Sequence, residues 1–124
     1  MNGIIYPTVE HAFHAAKTSD KEVKAQIARL TSPGEARKRG NQLMLPPDWD
    51  EVKVDIMYDL LKQKFSTYPD LTELLHSTGK IELIAGNSED ETFWGVCNGK
   101  GRNELGKLLM QLRERIKRNI TFRL

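Results

Sequence analysis

The stretch TFWGVCNGKGRNELG, residues 92–106, is the part of the sequence around which the rest of the chain is arranged. It begins with aromatic and β-branched residues, which favour a short strand. Three glycines follow within seven residues, from Gly95 to Gly101. A helix with apolar residues at the 3.6-residue period is then predicted from Asn103. The stretch therefore predicts a glycine-rich connection between a strand and a helix.

Two interpretations of this connection stay open on the residues alone. In the first, the glycines let the backbone approach a ligand, and the free N–H groups at the helix start bind an anion. Lys100 and Arg102 then add positive charge, and Trp94 offers a flat surface to a ring. In the second, Asn98-Gly99 forms a tight turn and the basic residues only face solvent.

The composition indicates one domain over residues 1–124, large enough to bury a core without disulfides or metals. Hydrophobic residues make up 39% and charged residues 29%, which is typical of a globular protein. A net charge of +2 indicates neither nucleic acid nor a membrane surface as a partner. Cys97 is the only cysteine, which excludes an intramolecular disulfide and favours a reducing compartment. Without a signal peptide or a long apolar run, the cytoplasm is the expected location.

Capping residues and apolar periodicity predict about six helices and a few short strands, which together make a mainly helical α+β domain. The predicted N-caps are Thr8, Ser19, Ser32, Asp48 and Asp70. Gly40 is predicted to end the third helix in a left-handed conformation. Residues 80–84 alternate in polarity and are the clearest predicted strand. Further strands are predicted over residues 3–6 and 120–124.

Several polar and aromatic residues invite functional interpretation, but the residues alone favour structural roles. Glu10 falls in a first helical turn, where the helix dipole favours a carboxylate. His11 and His14 have no third metal ligand at suitable spacing, so no metal site is predicted. Trp49, in the first turn of the fourth helix, is expected to pack in the core. Arg39 is expected at a solvated helix end.

Three motif blocks indicate a function, because they resemble the signatures of the NADAR domain family. The blocks are YPTVEHAF (6–13) with AAK (15–17), PDWD (47–50) with Met57 and KF (64–65), and FWG (93–95) with GRNELGK (101–107). They lie in the family's order and span residues 6–113. The family includes bacterial N-glycosidases that break down early riboflavin-pathway intermediates, and ADP-ribosyl-guanine hydrolases.

The resemblance implies a mostly helical fold with a small sheet component and neither a metal nor a redox cofactor. It implies cleavage of the N-glycosidic bond between a ribose and a nitrogen heterocycle. The expected substrate is an aminouracil ribosyl phosphate, or ADP-ribose attached to guanine either free or within nucleic acid. A membrane is not an expected partner.

The resemblance also nominates site residues. This cleavage builds positive charge on the sugar, so it needs a carboxylate near the anomeric carbon and a proton for the leaving nitrogen. Glu10 is the first candidate for this acid/base or charge-stabilising role, and Asp90 and Glu91 are the second. The predicted substrate-binding residues are Trp49 and Trp94 for stacking, Lys17, Arg39, Lys100 and Arg102 for phosphate, Asn103 as a donor at the helix start, and Asp50 and Gly95.

The alternative function is a module that binds ADP-ribose or a nucleotide without turnover. Three departures from the family pattern favour it. The chain is expected to lack the N-terminal stretch that usually precedes the strand at Gly3. Ala85 stands where many relatives have a glutamate, and Glu91 stands where an aspartate is usual. The residues that favour an enzyme are Glu10, Trp49, Trp94 and Asn103.

Overall fold

The computed structural model of the protein describes residues 3–87 and 91–123, with side chains in the last helix described as far as Ile116. Six helices lie in the described part: α1 (Val9–Ala15), α2 (Lys21–Ala28), α3 (Pro33–Gly40), α4 (Trp49–Thr67), α5 (Pro69–Ser77) and α6 (Glu104–Arg123). The predicted mainly helical fold class is confirmed. Over the same ranges, β-structure is limited to two isolated bridges, Gly86 with Val96 and Cys97 with Lys100. None of these helices is both long and apolar enough to cross a bilayer.

The chain divides into two compact units, Met1–Lys64 and Phe65–Leu124. In the first unit, two of the predicted helix starts are confirmed. The hydroxyls of Thr8 and Ser32 each accept a hydrogen bond from the N–H three residues on, at 3.1 and 3.2 Å. Asp20, not Ser19, caps α2, because its carboxylate accepts bonds from the two N–H groups that follow Lys21. A carboxylate satisfies otherwise unpaired N–H groups and also matches the dipole.

The core of the first unit lies where α1 packs against α2 and α3. Ala15, Ile27 and Ala36, one from each helix, are completely buried at its centre. Gly40 remains helical, and Asn41 follows it as a right-handed C-cap with φ −69°, so the predicted left-handed cap at Gly40 is wrong. A different constraint acts there, because the Gly40 backbone lies against the His14 ring.

In the second unit, α5 packs against α6. The predicted cap at Asp70 is wrong: Tyr68 precedes α5 without a side-chain capping bond, and Pro69 occupies the first turn. The missing N–H of a proline suits this position. α6 continues to Arg123, so the strand predicted over residues 120–124 is helical as far as it is described, and Leu124 lies outside the described residues.

The prediction of a strand over residues 80–84 is also wrong. The segment is irregular, because side chains rather than a neighbouring strand satisfy its backbone. The Asn103 amide nitrogen donates to the Leu83 carbonyl at 2.8 Å, and Arg113 donates to the Ile81 carbonyl at 2.7 Å. Alternation makes a strand possible, but a ladder needs a partner strand. Residues 3–6 are irregular too, so the strand predicted there is absent.

Candidate active site

Three polar side chains in the first unit come from α1 and from the turn that follows it. Glu10 and His14 are four residues apart in α1, which places them above one another. Lys17 lies in the turn, where its N–H donates to the His14 carbonyl at 3.2 Å. The His14 Nε2 lies 2.8 Å from the Glu10 Oε1. The His14 side chain is 5% exposed, whereas that of Glu10 is 36% exposed. A buried imidazole therefore holds a carboxylate that solvent or a ligand can reach.

Two aromatic rings complete this group. The rings of Phe13 and Trp49 have their centroids 5.2 Å apart, and both side chains are buried. The Lys17 Nζ lies 5.8 Å from the Phe13 centroid and 5.9 Å from the Trp49 centroid, within cation–π range. We call Glu10, Phe13, His14, Lys17 and Trp49 the α1 cluster. It unites three of the predicted site residues: Glu10, Lys17 and Trp49.

Lys17 is the most unusual member of the α1 cluster, because its side chain is only 7% exposed. Within the described ranges, no hydrogen bond or ion pair reaches its ammonium group. Burial lowers the pKa of Lys17, Glu10 opposes that shift by its negative charge, and Lys53 adds to it. An ammonium has three donors, so this one retains donor capacity for an oxygen-rich ligand.

The protonated Lys17 should destabilise the fold. Because its pKa is lowered in the folded state, the unfolded chain binds this proton more tightly, and stability rises with pH between the folded pKa and the ordinary value of 10.5. We expect Lys17→Met to raise the free energy of unfolding at pH 7 by about 1–2 kcal/mol. This gain should shrink as the pH approaches 10.5, because the wild-type lysine then loses its charge.

Denaturant unfolding of Lys17→Met at pH 7 and at higher pH tests this expectation. Lys38→Met is a suitable control, because Lys38 is exposed on α3 and its replacement should change stability little at either pH. A destabilised Lys17→Met variant at pH 7 would contradict the argument, since it would mean that the buried ammonium makes a net favourable contact.

The remaining predicted site residues of the first unit lie differently. Asp50 is exposed in the first turn of α4 and forms a 3.0 Å ion pair with Lys53. Arg39 is half-buried in the last turn of α3. Their substrate-binding roles stay predictions. His11 is fully buried and bridges the Thr8 hydroxyl and the Leu30 carbonyl, at 2.7 and 3.0 Å, which gives it a structural role.

In the second unit, Glu91 organises the loop that the sequence singled out. Its two carboxylate oxygens accept hydrogen bonds from the N–H groups of Phe93, Trp94 and Gly95, at 3.0, 2.7 and 2.9 Å. The Asn87 side chain in turn bonds both the N–H and the carbonyl of Glu91. Glu91 therefore has a structural role, and its catalytic role stays a prediction. Asp90 lies outside the described residues.

The start of α6 is not a free anion site. The N–H groups of residues 102–105 donate to the carbonyl oxygens of residues 92–95, over 2.7–3.3 Å. The Asn103 side chain donates to Leu83 and accepts from the Ala85 N–H at 2.9 Å. These bonds use the amide oxygen and one of its two N–H donors, and a phosphate contact of Asn103 stays a prediction. A Cβ on Gly106 would collide with the Asn103 amide, so this glycine leaves room for it.

The tight turn at Asn98-Gly99, which the second interpretation of residues 92–106 predicted, is confirmed. Asn98 and Gly99 have φ of 53° and 76°, and Cys97 and Lys100 exchange backbone hydrogen bonds of 2.8 and 3.0 Å around them. Two consecutive positive φ values match the twist of a two-residue hairpin. Cys97 is buried and Lys100 is exposed.

Two other residues predicted to contact the ligand, Arg102 and Trp94, have partners in residues 93–104. Arg102 pairs with Glu104 at 3.1 Å and lies 4.8 Å from the Phe93 ring centroid. Trp94 is half-buried and meets Phe93 edge to face, with centroids 4.8 Å apart. Phosphate binding by Arg102 or Lys100, and ligand contacts of Trp94 or Gly95, stay predictions.

Because Asn103 bonds two half-buried backbone groups, its replacement should destabilise the fold strongly. We expect Asn103→Ala to cost about 2–4 kcal/mol, since both backbone partners lose a hydrogen bond and alanine must adopt a φ of 55°. Asn98→Ala is a matched control, because Asn98 has φ 53° but is exposed, and strain alone should cost about 1 kcal/mol there. Equal losses in urea unfolding would show that the Asn103 amide bonds contribute nothing.

The sequence reasoning missed His14, which it considered only as a metal ligand with His11. The four-residue spacing of Glu10 and His14 was the available signal, because residues i and i+4 meet on a helix. It also missed the loop-holding role of Glu91. That role could not be predicted, because it depends on how the backbone of residues 93–95 folds around the Glu91 carboxylate.

Known proteins resemble this chain in sequence and in fold. The NADAR domain model matches residues 1–117. N-glycosidase YbiA of Shigella boydii is 37% identical over 119 residues, covering 94% of this chain and 74% of the relative. The maize riboflavin biosynthesis protein PYRR, chloroplastic, is 38% identical over 123 residues, covering 90% of this chain and 20% of the relative. The NMR structure of the Escherichia coli protein YbiA has a TM-score of 0.86 and 35% identity, covering 98% of this chain and 73% of that chain.

Relatives named N-glycosidases align along 90% or more of this chain. The chain is therefore an N-glycoside hydrolase. The match extends over nearly the whole chain in both sequence and fold. The chain therefore belongs to the NADAR domain family.

Proposed function

We propose that the protein hydrolyses the bond between a phosphorylated ribose and an aminouracil, the kind of compound that arises early in riboflavin synthesis. The observation that carries the proposal is the partly exposed Glu10 carboxylate, which His14 holds and which interacts electrostatically with the buried Lys17 ammonium. The substrate class is supported by the maize relative, whose name places it in riboflavin biosynthesis and whose matching region aligns with most of this chain.

Glu10 is suited to the charge that this reaction develops. As the bond from C1′ to the base nitrogen breaks, the electron pair leaves with the nitrogen and positive charge grows on the sugar. A carboxylate near C1′ stabilises that charge and can take a proton from the attacking water. Water adds its oxygen to C1′, and the nitrogen heterocycle departs with a proton. The two-carboxylate scheme of O-glycosidases applies here only as an analogy.

Lys17 supplies the complementary charge for the ligand. Its ammonium interacts electrostatically with the Glu10 carboxylate and has no hydrogen-bond or ion-pair partner among the described residues, so a phosphate oxygen of the substrate can take its donors. The burial that lowers the pKa of Lys17 also strengthens any interaction it makes with an anion, because little water competes. The Phe13 and Trp49 rings shield this ammonium and hold its position.

Incubation with an aminouracil ribosyl phosphate tests the proposal, with mass spectrometry to detect released ribose phosphate and free base. ADP-ribosylated guanosine and an oligonucleotide carrying the same modification form two further arms. Release of ribose phosphate in the first arm is the expected result. Release of ADP-ribose alone would replace the proposed substrate class, and binding without turnover in every arm would indicate the non-catalytic module.

A further inference from the structure

The two ring nitrogens of His14 have different surroundings. Its Nε2 faces the Glu10 Oε1 at 2.8 Å, while its Nδ1 is buried and has no hydrogen-bond partner in the described part of the chain. A carboxylate oxygen accepts hydrogen bonds, so the ring proton must sit on Nε2. The bare Nδ1 faces the protein interior. The ring therefore acts as a donor to Glu10 and to nothing else.

Gly40 on α3 is what permits this ring position. A Cβ built on Gly40 would approach within 2.5 Å of the His14 Cγ and 2.6 Å of its Cβ, and closer still to Nδ1. Real Cβ atoms do not make such contacts with a rigid ring, so any side chain at position 40 would displace His14. The glycine has a right-handed helical conformation, which any residue could adopt. Close approach, not backbone freedom, is therefore the reason for glycine here.

Filling space in the core does not explain this arrangement. His14 meets Phe13 edge to face with centroids 5.5 Å apart, a contact that an aliphatic or phenyl side chain could also make. An apolar residue would also avoid the unsatisfied buried Nδ1, which costs stability. The one contact that needs a histidine is the bond to Glu10.

We propose that His14 is a positioning residue for Glu10. The missing side chain at Gly40 leaves room for the His14 ring in the orientation that holds the Glu10 carboxylate toward the substrate. The inference rests on the proposed hydrolysis by Glu10. It assigns a function to the contact between α1 and α3. Because His14 touches no substrate in this scheme, its effect on rate acts entirely through Glu10.

The first test compares His14→Gln and His14→Leu in the full chain. Glutamine keeps a nitrogen donor at a similar reach, whereas leucine removes it. With an aminouracil ribosyl phosphate as substrate, we expect His14→Leu to lower kcat by about 10- to 100-fold with little change in KM. His14→Gln should retain kcat within about fivefold of wild type, because the donor is restored. His76→Leu is the control, since His76 is exposed on α5 and its loss should leave kcat unchanged.

The second test uses the two glycines of α3. Gly40→Ala should lower kcat about as much as His14→Leu, because it displaces the ring. Gly34→Ala is the matched control: the nearest atom to its added Cβ is the Ser32 Oγ at 3.9 Å, an ordinary contact, so kcat should not change. In the double variant of Gly40→Ala and His14→Leu, the two losses should not add, because both act through one contact.

A third measurement does not depend on variants that fold poorly. The ¹⁵N shifts of the His14 ring in the wild-type protein report the tautomer, and a proton on Nε2 is expected. An Nε2 without a proton would overturn the inference, as would a kcat for His14→Leu within about twofold of wild type, or equal losses for His14→Gln and His14→Leu. A wild-type protein that releases no product would instead count against the proposed function.

Discussion

Replacing Glu10 with glutamine is expected to lower kcat by about 10²–10⁴-fold, which is the usual contribution of a positioned acid or base. Glutamine keeps the size of the side chain and can accept a hydrogen bond from the His14 Nε2, but it removes the negative charge. The free energy of unfolding should change by less than about 1 kcal/mol, because the side chain is half-exposed and its contribution as a first-turn carboxylate is small. Steady-state hydrolysis and denaturant unfolding measure the two effects.

Glu22→Gln is a matched control for this variant. Glu22 is also a first-turn glutamate, in α2, and its side chain is exposed. Its replacement should leave kcat unchanged. If Glu10→Gln turns over within a few-fold of wild type at equal stability, Glu10 is a dipole-favoured helix residue only. Asp90 and Glu91 would then be the catalytic candidates, and Glu91 would combine that role with holding three backbone N–H groups.

Trp49→Ala is expected to have the largest effect on stability, a loss of about 3–5 kcal/mol. Trp49 is 5% exposed and packs on Phe13, so alanine would leave a cavity in the first unit. It would also remove one of the two rings that cover the Lys17 ammonium. Urea unfolding measures the loss in free energy, and ligand titration of the remaining folded protein measures any change in affinity.

Trp49→Phe separates packing from ligand stacking. Phenylalanine refills most of the volume and keeps a ring, so stability should fall by less than half the loss of the alanine variant. Should Trp49→Ala lose under 1 kcal/mol of stability while affinity collapses, the ring would be a ligand platform, as the family resemblance implied. The observed burial favours packing, with any ligand contact limited to the edge of the indole.

Local sequence signals predicted the helices of the first unit well. Thr8 and Ser32 cap α1 and α3 because capping is a contact between neighbours in the chain. The buried residues of α4 (Met57, Leu60 and Leu61) follow the predicted apolar period. The motif resemblance, rather than any periodicity, singled out Glu10 and Lys17, and the structure places them close enough to interact electrostatically.

Predictions that depended on distant partners failed. Residues 80–84 alternate like a strand, but α6 and its start provide Arg113 and Asn103 to bond the backbone there. The start of α6 has the glycines and cations of an anion site, yet the N–H groups of residues 102–105 donate to the carbonyl groups of residues 92–95. Each outcome depends on contacts between segments that lie about ten or more residues apart.

The sequence by itself determined the number and type of the helices, the caps of α1 and α3, and membership of the NADAR family through its three motif blocks. These depend on short-range periodicity, on neighbouring residues, and on residue identities that need no coordinates. Only the tertiary structure decided that His14 donates to Glu10, that Gly40 makes room for its ring, and that Lys17 is buried without a partner in the described residues. Those properties depend on how closely α3 approaches α1 and on which charges lose water, and both are set by the packing of the whole unit.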